Sequence, residues 1–437
     1  TPENLGQLVS KIRRDAFNPS ERSKLVHAIR RYLNEKGLPN FRLEDPLVAE
    51  RASRIWRNER SKEGLSANAQ AALGEIEAAR KVLEALRFAD GSQFEPSPFF
   101  RSQRLSRRFG TDLYVLNDAS RPTGSFKERG ALVAVRDAAL NGVLHVVTAS
   151  HGNHGLAVAM AAQRLGLRST IVVPDTTPVV KMNRLRELGA TVVATGKQPW
   201  RGYEEARDWA LRYTFERNRY LERTIEAKGV MRYIHGFEDV VPGQGVAAFE
   251  ILDAIRALPA EEQANLERAT FLIPTGGGGL TAGVGTVLRA HLPQAKVLAV
   301  VSQEAPALHF SLIEGRRSEV FLNETGLCDS GIGLTIPGAR PFELLREVLD
   351  GSLAVSDSQV GEALRLIHRH EGLTVEGSAA TGIAALLSGK LPQLGVSLEH
   401  PIVTILTGRN IDASRHADVL EGREAPWSES SPVKAGD

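Results

Sequence analysis

The sequence predicts an α/β protein with two open, mostly parallel sheets, a cofactor or ligand cleft between them, and a helical extension in front. Three observations carry this. From about residue 110 onward, short β-branched runs are each answered by a run rich in Ala, Leu and Arg with apolar residues at helical spacing. The strand segments are unbroken apolar stretches, the pattern of parallel strands covered on both faces. Several of them end in glycine-rich or polar turns that lead into a helix, the place where such folds bind ligands.

Residues 1–90 are rich in Arg and Glu, and KLVHAIRRYL (24–33) and EIEAARKVLEALRF (75–88) return apolar residues at the spacing of amphipathic helices. They predict a helical extension over 1–90 that packs on the core or on a partner subunit. The stretch 34–66 is polar with scattered apolar residues, and Pro96 and Pro98 mark an irregular connection into the main body. TDLYVLND (111–118) then leads into SFKERGALVAVRDAALNG, LHVVTAS (144–150) into NHGLAVAMAAQRLG, and RSTIVVP (168–174) into VVKMNRLRELG. ATVVAT (190–195), ATFLIPT (269–275), AKVLAVVSQE (295–304) and HPIVTILTG (400–408) continue the strands. The expected division is a small substrate-side domain over 147–225 and a large domain built from 91–146 and 226–437.

The 437 residues are 42% hydrophobic and 24% charged, and 54 Lys plus Arg against 52 Asp plus Glu leave a net charge of +2. That balance fits a soluble multi-domain protein and excludes a collagen, a disordered tail or a disulfide-stapled mini-protein. A nearly neutral chain gives no sign of nucleic-acid binding. Cys328 is the single cysteine, so no internal bridge and no thiolate metal cluster can form, and a reducing compartment is expected. No run of roughly 18 apolar residues occurs and the first residues lack a signal-like apolar core. A cytoplasmic protein without a membrane partner is expected. No metal site is expected either: His368 and His370 are two apart on a helical segment, and His151 and His154 lack a third ligand nearby.

Four segments can carry chemistry. SRPTGSFKERGA (120–131) delivers Ser125, Phe126 and Lys127 at a helix start, where a cation meets the positive pole of the helix. Two readings stay open there: an exposed lysine beside Glu128 and Arg129, or an amine kept near neutrality that forms a Schiff base with an aldehyde cofactor. TASHGNHGLAVAMAAQRLG (148–166) ends a strand in Ser150, His151, Gly152, Asn153 and His154. Glycines around polar residues let backbone N–H groups converge on an anion such as a carboxylate. The alternatives are solvated turn histidines and an Asn153 that only caps the helix.

FLIPTGGGGLTAGVGTVLRA (271–290) sets Gly276, Gly277, Gly278 and Gly279 between a strand and a helix, where the backbone can wrap a phosphate. Dinucleotide binding is the rival: Gly277, Gly279 and Ala282 satisfy G-x-G-x-x-A, with Glu304 ending the next strand. The segment alone leaves both open, while no G-x-x-x-x-G-K-[ST] occurs for an ATP-hydrolysing P-loop. In EGSAATGIAALLSGK (376–390) Glu376 precedes a small-residue helix, and in IVTILTGRNID (402–412) Thr407 ends the last strand. Both can face the cleft, or be no more than a helix-start acid and a strand-end hydroxyl.

Together the lysine turn, the HGNHG loop, the tetraglycine and the T-G-R-N after the last strand resemble the fold type II pyridoxal phosphate enzymes over about 93–415. Within that tryptophan synthase beta-like superfamily, the chain is most similar to the threonine and serine dehydratase group, which includes diaminopropionate ammonia-lyase and serine racemase. The resemblance implies pyridoxal 5'-phosphate as cofactor, carried by Lys127 beside Phe126. It implies that Asn153 bonds the ring 3-oxygen and that Ser150, His151, Gly152, Asn153 and His154 receive the substrate carboxylate. Gly276 to Gly279 resemble the phosphate cradle, which displaces the dinucleotide reading. Thr407 resembles the residue facing the pyridine nitrogen, Glu376 the acid on the same side, and Gly243 in HGFEDVVPGQGVAAFEI (235–251) the glycine near the ring.

The implied activity is α,β-elimination on a small β-hydroxy amino acid of the threonine or serine type, giving a 2-oxo acid and ammonia, in a homodimer. Diaminopropionate-type elimination, β-replacement and racemisation are the alternatives within the family, and a non-catalytic binding protein is the alternative outside it. The chain departs from the group's pattern at His151, where the dehydratases commonly have serine, and at Leu116, Asn117 and Asp118, which replace a lysine-x-glutamate. An imidazole at 151 can act as acid on the leaving group, as base on the opposite face, or as recogniser of an anionic substituent. The N-terminal extension is outside the short dehydratase plan, and no regulatory domain is expected after Arg415.

Overall fold

The seven apolar runs predicted as strands all form strands, and these sort into two sheets. The computed structural model describes residues 64–150, 152–175, 177–195, 202–224, 230–320, 326–328 and 331–423, all within the unit spanning 50–437. The helix expected at 24–33 and most of the polar stretch after it fall outside the described residues. The second expected helix is α1 (Ala67–Ala85), started by Ser66, whose side chain accepts from the Ala69 N–H. It buries Ala69, Ala72, Ile76, Ala79 and Leu83 as one stripe, and Ile76 fills the space above Gly245, where a Cβ would stand 2.9 Å from it.

The chain continues through β1 (Phe99–Arg101), α2 (Gln103–Phe109), β2 (Leu113–Asn117) and α3 (Lys127–Leu140). It then builds the smaller sheet from β3 (His145–Ala149), α4 (Asn153–Arg164), β4 (Arg168–Val173), α5 (Val179–Glu187), β5 (Thr191–Ala194), α6 (Gly202–Thr224) and β6 (Met231–Tyr233). It returns through α7 (Val241–Arg256), α8 (Ala260–Leu266), β7 (Thr270–Pro274), α9 (Gly279–His291), β8 (Lys296–Ser302) and α10 (Ala307–Glu314). The last elements are α11 (Ala339–Val348), β9 (Gly351–Val355), α12 (Asp357–Glu371), α13 (Gly377–Leu387), β10 (Ile402–Leu406) and α14 (Ala413–Leu420).

The large sheet has the order β1-β2-β10-β7-β8-β9 and is parallel except for β1, which runs antiparallel to β2 with Phe99 opposite Leu116. The smaller sheet, β5-β4-β3-β6, is wholly parallel. Every residue of β2, β7, β9 and β10 is buried, because helices cover both faces. The sequence did not announce β1, β6 or β9: FFR and MRY are three-residue edge pieces, and GSLAV opens on Gly and Ser. Their pairing comes from neighbours already in place.

This strand order builds the cleft. β10 lies between β2 and β7, so the carboxyl ends of three adjacent strands open side by side. The turn leading to Lys127 follows β2, Thr407 follows β10, and the tetraglycine follows β7.

Candidate active site

The tetraglycine turn is glycine by necessity. A Cβ on Gly276 would stand 2.8 Å from Ile332, one on Gly277 would stand 2.4 Å from the Phe237 ring, and one on Gly278 would stand 2.7 Å from Leu345, with φ at +93° besides. Only glycine fits such a turn. Among the described residues the N–H groups of Gly276, Gly277, Gly278 and Gly279 find no acceptor. Four free donors at the head of the 13-residue helix α9 form an anion cradle, since the helix pole and the N–H groups favour the same charge.

Facing this turn, Lys127 lines the same cleft of about 410 Å³, together with Phe126, Phe237, Glu376, Ser378 and Thr407. Its Nζ donates to the Gly236 carbonyl at 3.0 Å and sits 4.9 Å and 5.3 Å from the ring centres of Phe126 and Phe237. Loss of solvent around the amine pushes its pKa down to about 8, against the pull of Glu376, which raises it. The reading of Lys127 as an exposed residue beside Glu128 and Arg129 fails on burial. Arg129 is fully enclosed, bonded to Asp118 at 2.8 Å and to Glu250 at 2.5 Å, and Glu128 is buried beside Thr123. Arg121 joins the cluster through Glu250 at 3.1 Å. Asp118, which stands in place of the usual glutamate, thereby ties the first turn of α3 to β2.

The T-G-R-N turn closes the site by hydrogen bonds to its neighbours. Phe126 N–H donates to the Thr407 carbonyl and Arg409 N–H to the Gly124 carbonyl, both at 2.9 Å. Asn410 donates through Nδ2 to the Thr123 carbonyl at 3.0 Å and to Asn153 Oδ1 at 2.6 Å. Asn153 in turn donates to Glu376 Oε1 at 2.8 Å. Gly124, with φ at +74°, admits this contact, since a Cβ there would stand 2.8 Å from Asn410.

The expected site residues do not all converge. Gly152 and Asn153 line a neighbouring cavity that shares Glu376 with the cleft, and Ser150 lies at the turn, its hydroxyl accepting from the Gly152 N–H at 3.2 Å. His154 lines neither cavity: it is buried behind the cleft, with Nε2 3.2 Å from the Ile234 carbonyl and its ring against Gly236. Burial, with the Lys127 charge nearby, pushes its pKa down to about 3, so it packs behind the cleft as a neutral ring that donates to the Ile234 carbonyl. Gly243 is not at the cleft wall. A Cβ there would stand 2.5 Å from the Arg129 carbonyl, which makes it the contact point of α7 with α3. His151 lies outside the described residues.

A family model described as "Pyridoxal-phosphate dependent enzyme" matches residues 92–408. The chain belongs to the pyridoxal-phosphate dependent enzymes. It is 33% identical over 326 residues to an L-threonine ammonia-lyase of Geobacter sulfurreducens, covering 73% of this chain and 72% of that one. Its fold matches the processed form of threonine deaminase isoform 2 from Solanum lycopersicum with a TM-score of 0.67 at 28% identity, covering 83% of this chain and 95% of the other. A serine racemase from Dictyostelium discoideum matches with a TM-score of 0.63 at 27% identity, over 78% and 98% of the two chains.

The cleft of this pyridoxal-phosphate dependent enzyme fits its cofactor by donor chemistry: free N–H groups for a phosphate and a desolvated amine for an aldehyde. Sequence reasoning missed the Gly236 carbonyl, the Phe237 ring, Ser378 and the bridging role of Asn410. All four lie inside segments the motifs had already picked out, so the signal was their nearness in sequence to assigned residues. Among the described residues no group of three or more His, Cys, Asp or Glu is disposed to hold a metal, and no helix is long and apolar enough to cross a membrane.

Proposed function

We propose that the protein catalyses α,β-elimination on a β-hydroxy amino acid of the threonine or serine type, releasing a 2-oxo acid and ammonia. The observation that carries this reading is a desolvated amine, an anion cradle and a neutral hydroxyl gathered on three adjacent strand ends. The 33% identity to an L-threonine ammonia-lyase supports the choice of reaction.

When bound, the cofactor supplies an aldehyde for an amine and a ring that draws electrons from the α-carbon. Gly276 to Gly279 would hold its phosphate, Lys127 its aldehyde, and Thr407 and Glu376 would stand on the ring wall. With a pKa of about 8, Lys127 keeps a share of neutral amine near neutral pH, so its Nζ can take the α-proton of the amino acid. Thr407 lines the cleft with a neutral hydroxyl; such a group beside the ring nitrogen would leave it unprotonated, which would favour loss of a β-substituent over reactions needing prolonged charge at the α-carbon.

The turn from Ser150 to Asn153 is assigned to the α-carboxylate, while His154, buried behind the cleft, stands outside that role. His151 is assigned to proton transfer at the β-substituent or on the opposite face. The division into a large domain over 91–146 and 226–437, a small domain over 147–225 and an extension over 1–90 belongs to the same reading, as does a cytoplasmic homodimer.

Incubation of the cofactor-loaded protein with L-threonine or L-serine should release 2-oxo acid and ammonia in equal amounts. Incorporation of an added thiol without 2-oxo acid would establish β-replacement instead. Exchange of α-deuterium without net loss of substrate would establish racemisation.

A further inference from the structure

The turn 235–239, between β6 and α7, touches the amine, the glycine turn and a further helix at once. The Gly236 carbonyl accepts from Lys127 Nζ at 3.0 Å. The Phe237 ring lies 5.3 Å from the same amine and fills the space beside Gly277, where a Cβ would stand 2.4 Å from it. The Glu238 carboxylate accepts from the Ala339 and Arg340 N–H groups, at 2.6 Å and 3.0 Å, at the start of α11. Just before that helix, the Gly338 N–H donates to the Gly277 carbonyl at 3.0 Å. Where this turn sits therefore sets where the amine and the anion cradle stand relative to each other.

One imidazole ties the turn together. His235 Nδ1 accepts from the Phe237 N–H at 3.2 Å and from the Glu238 N–H at 3.3 Å, while the His235 N–H donates to Asp239 Oδ2 at 2.7 Å. An Asn or Asp side chain caps a turn in the same way, by taking N–H groups a few residues ahead. A ring nitrogen that accepts carries no proton, so His235 is the neutral tautomer with its hydrogen on Nε2. The charged and titratable groups facing it are Glu238 and Asp239 in the turn, Arg207 on α6, Lys127 on α3 and His154 on α4. Arg232 on β6 reaches Asp239 at 3.6 Å. Burial outweighs the two acids, Arg207 and Lys127 act in the same direction as burial, and the ring is held below its ordinary value of 6.5.

We propose that His235 is a positioning residue for the reaction: as a neutral ring it caps the turn 235–239, and so holds the Gly236 carbonyl against the Lys127 amine and the Phe237 ring against the anion cradle. The proposal rests on the reading of Lys127 as the amine that carries the cofactor and takes the α-proton. A neutral amine that donates one N–H to a fixed carbonyl has its lone pair aimed by that bond. Protonation of the ring would put a hydrogen on Nδ1, facing two N–H donors, and the turn would lose both bonds. An Asn at 235 keeps an acceptor and has no proton to gain. A Phe keeps the edge-on packing against Tyr233 and Phe237, whose ring centres lie 6.1 Å and 5.5 Å away, and offers no acceptor.

Nitrogen NMR of the cofactor-loaded protein labelled in its histidine rings, with the His235 signals assigned by their loss in His235→Asn, tests the tautomer. Near neutral pH, Nδ1 should be unprotonated and Nε2 protonated; a proton on Nδ1 would overturn the proposal. In steady-state kinetics on L-threonine, His235→Phe should lower kcat about tenfold with KM little changed, the scale of one or two lost hydrogen bonds, and His235→Asn should restore most of it. The same pair of variants should rank alike in retention of free inorganic phosphate by the cofactor-free protein, measured by equilibrium dialysis. A Phe variant equal to the wild type, or an Asn variant as impaired as the Phe variant, would overturn the cap. The wild-type kcat should also fall through a step on the acid side of 6.5 that His235→Asn lacks, and coinciding profiles would overturn the role of the neutral ring.

If Lys127→Ala keeps the cofactor band, or L-threonine is not turned over, the reading of the amine or of the reaction fails by itself. The ring tautomer and phosphate retention depend on neither, and they then decide the cap: a proton on Nδ1, or equal retention by the wild type and His235→Phe, would overturn it.

Discussion

Desolvation sets the basicity of Lys127, and Glu376 opposes it. The neutral amine is the form that attacks an aldehyde, so the rate of cofactor uptake by the cofactor-free protein should rise with pH through about 8 and level off above it. Glu376 raises the Lys127 pKa, and Glu376→Gln should therefore move the inflection to lower pH. Stopped-flow absorbance measures both, and an inflection that stays put in the variant would refute the coupling. Lys127→Ala should abolish the cofactor band near roughly 410–430 nm, and an unchanged spectrum would mean that another amine carries the cofactor. Gly278→Ala meets both a positive φ of +93° and Leu345 at 2.7 Å, and should weaken retention of free inorganic phosphate as well as of the cofactor, seen in equilibrium dialysis.

At the scale of elements, the lysine helix α3 is held by two devices. One is the close contact of α7, where Gly130 and Gly243 let the backbones meet. Gly243→Ala would set a Cβ 2.5 Å from the Arg129 carbonyl, and backbone cannot yield as a side-chain tip can. A loss of about 1–3 kcal/mol in urea unfolding is expected, and a midpoint unchanged from the wild type would show that the helices can part without cost. The other is the ion cluster. Arg129→Met would leave Arg121 as the one remaining cation beside the buried Asp118 and Glu250, at a cost of up to about 3–5 kcal/mol in the same unfolding measurement. The sequence showed Gly243 within a telling motif, but not its role, because the atoms it meets belong to another helix. The buried state of Arg129 was hidden for the same reason: its partners Asp118, Glu250 and Ser97 lie on three separate segments.

For the whole molecule, the apolar runs and their helices were legible because parallel strands are covered on both faces and leave no polar alternation. The cleft was legible in fragments, since Lys127, the tetraglycine and Thr407 each follow a strand, and the order that sets those strands side by side emerges only on folding. Folding also encloses ionisable rings. His154 and His309 are buried, and burial pushes their pKa values from 6.5 down to about 3 and about 4. Below pH 6.5 the unfolded chain binds protons at these positions and the folded chain does not, so stability falls as pH drops, by up to about 1.4 kcal/mol per pH unit for each ring. Unfolding free energy should be flat with respect to these two groups above pH 7 and should decline toward pH 4. His154→Gln removes one of the two protons, and its curve should converge on that of the wild type as the pH falls. Curves that stay parallel from pH 7 to pH 4 would mean that His154 takes up its proton in the folded protein as readily as in the unfolded chain, and the neutral ring donating to the Ile234 carbonyl would be refuted.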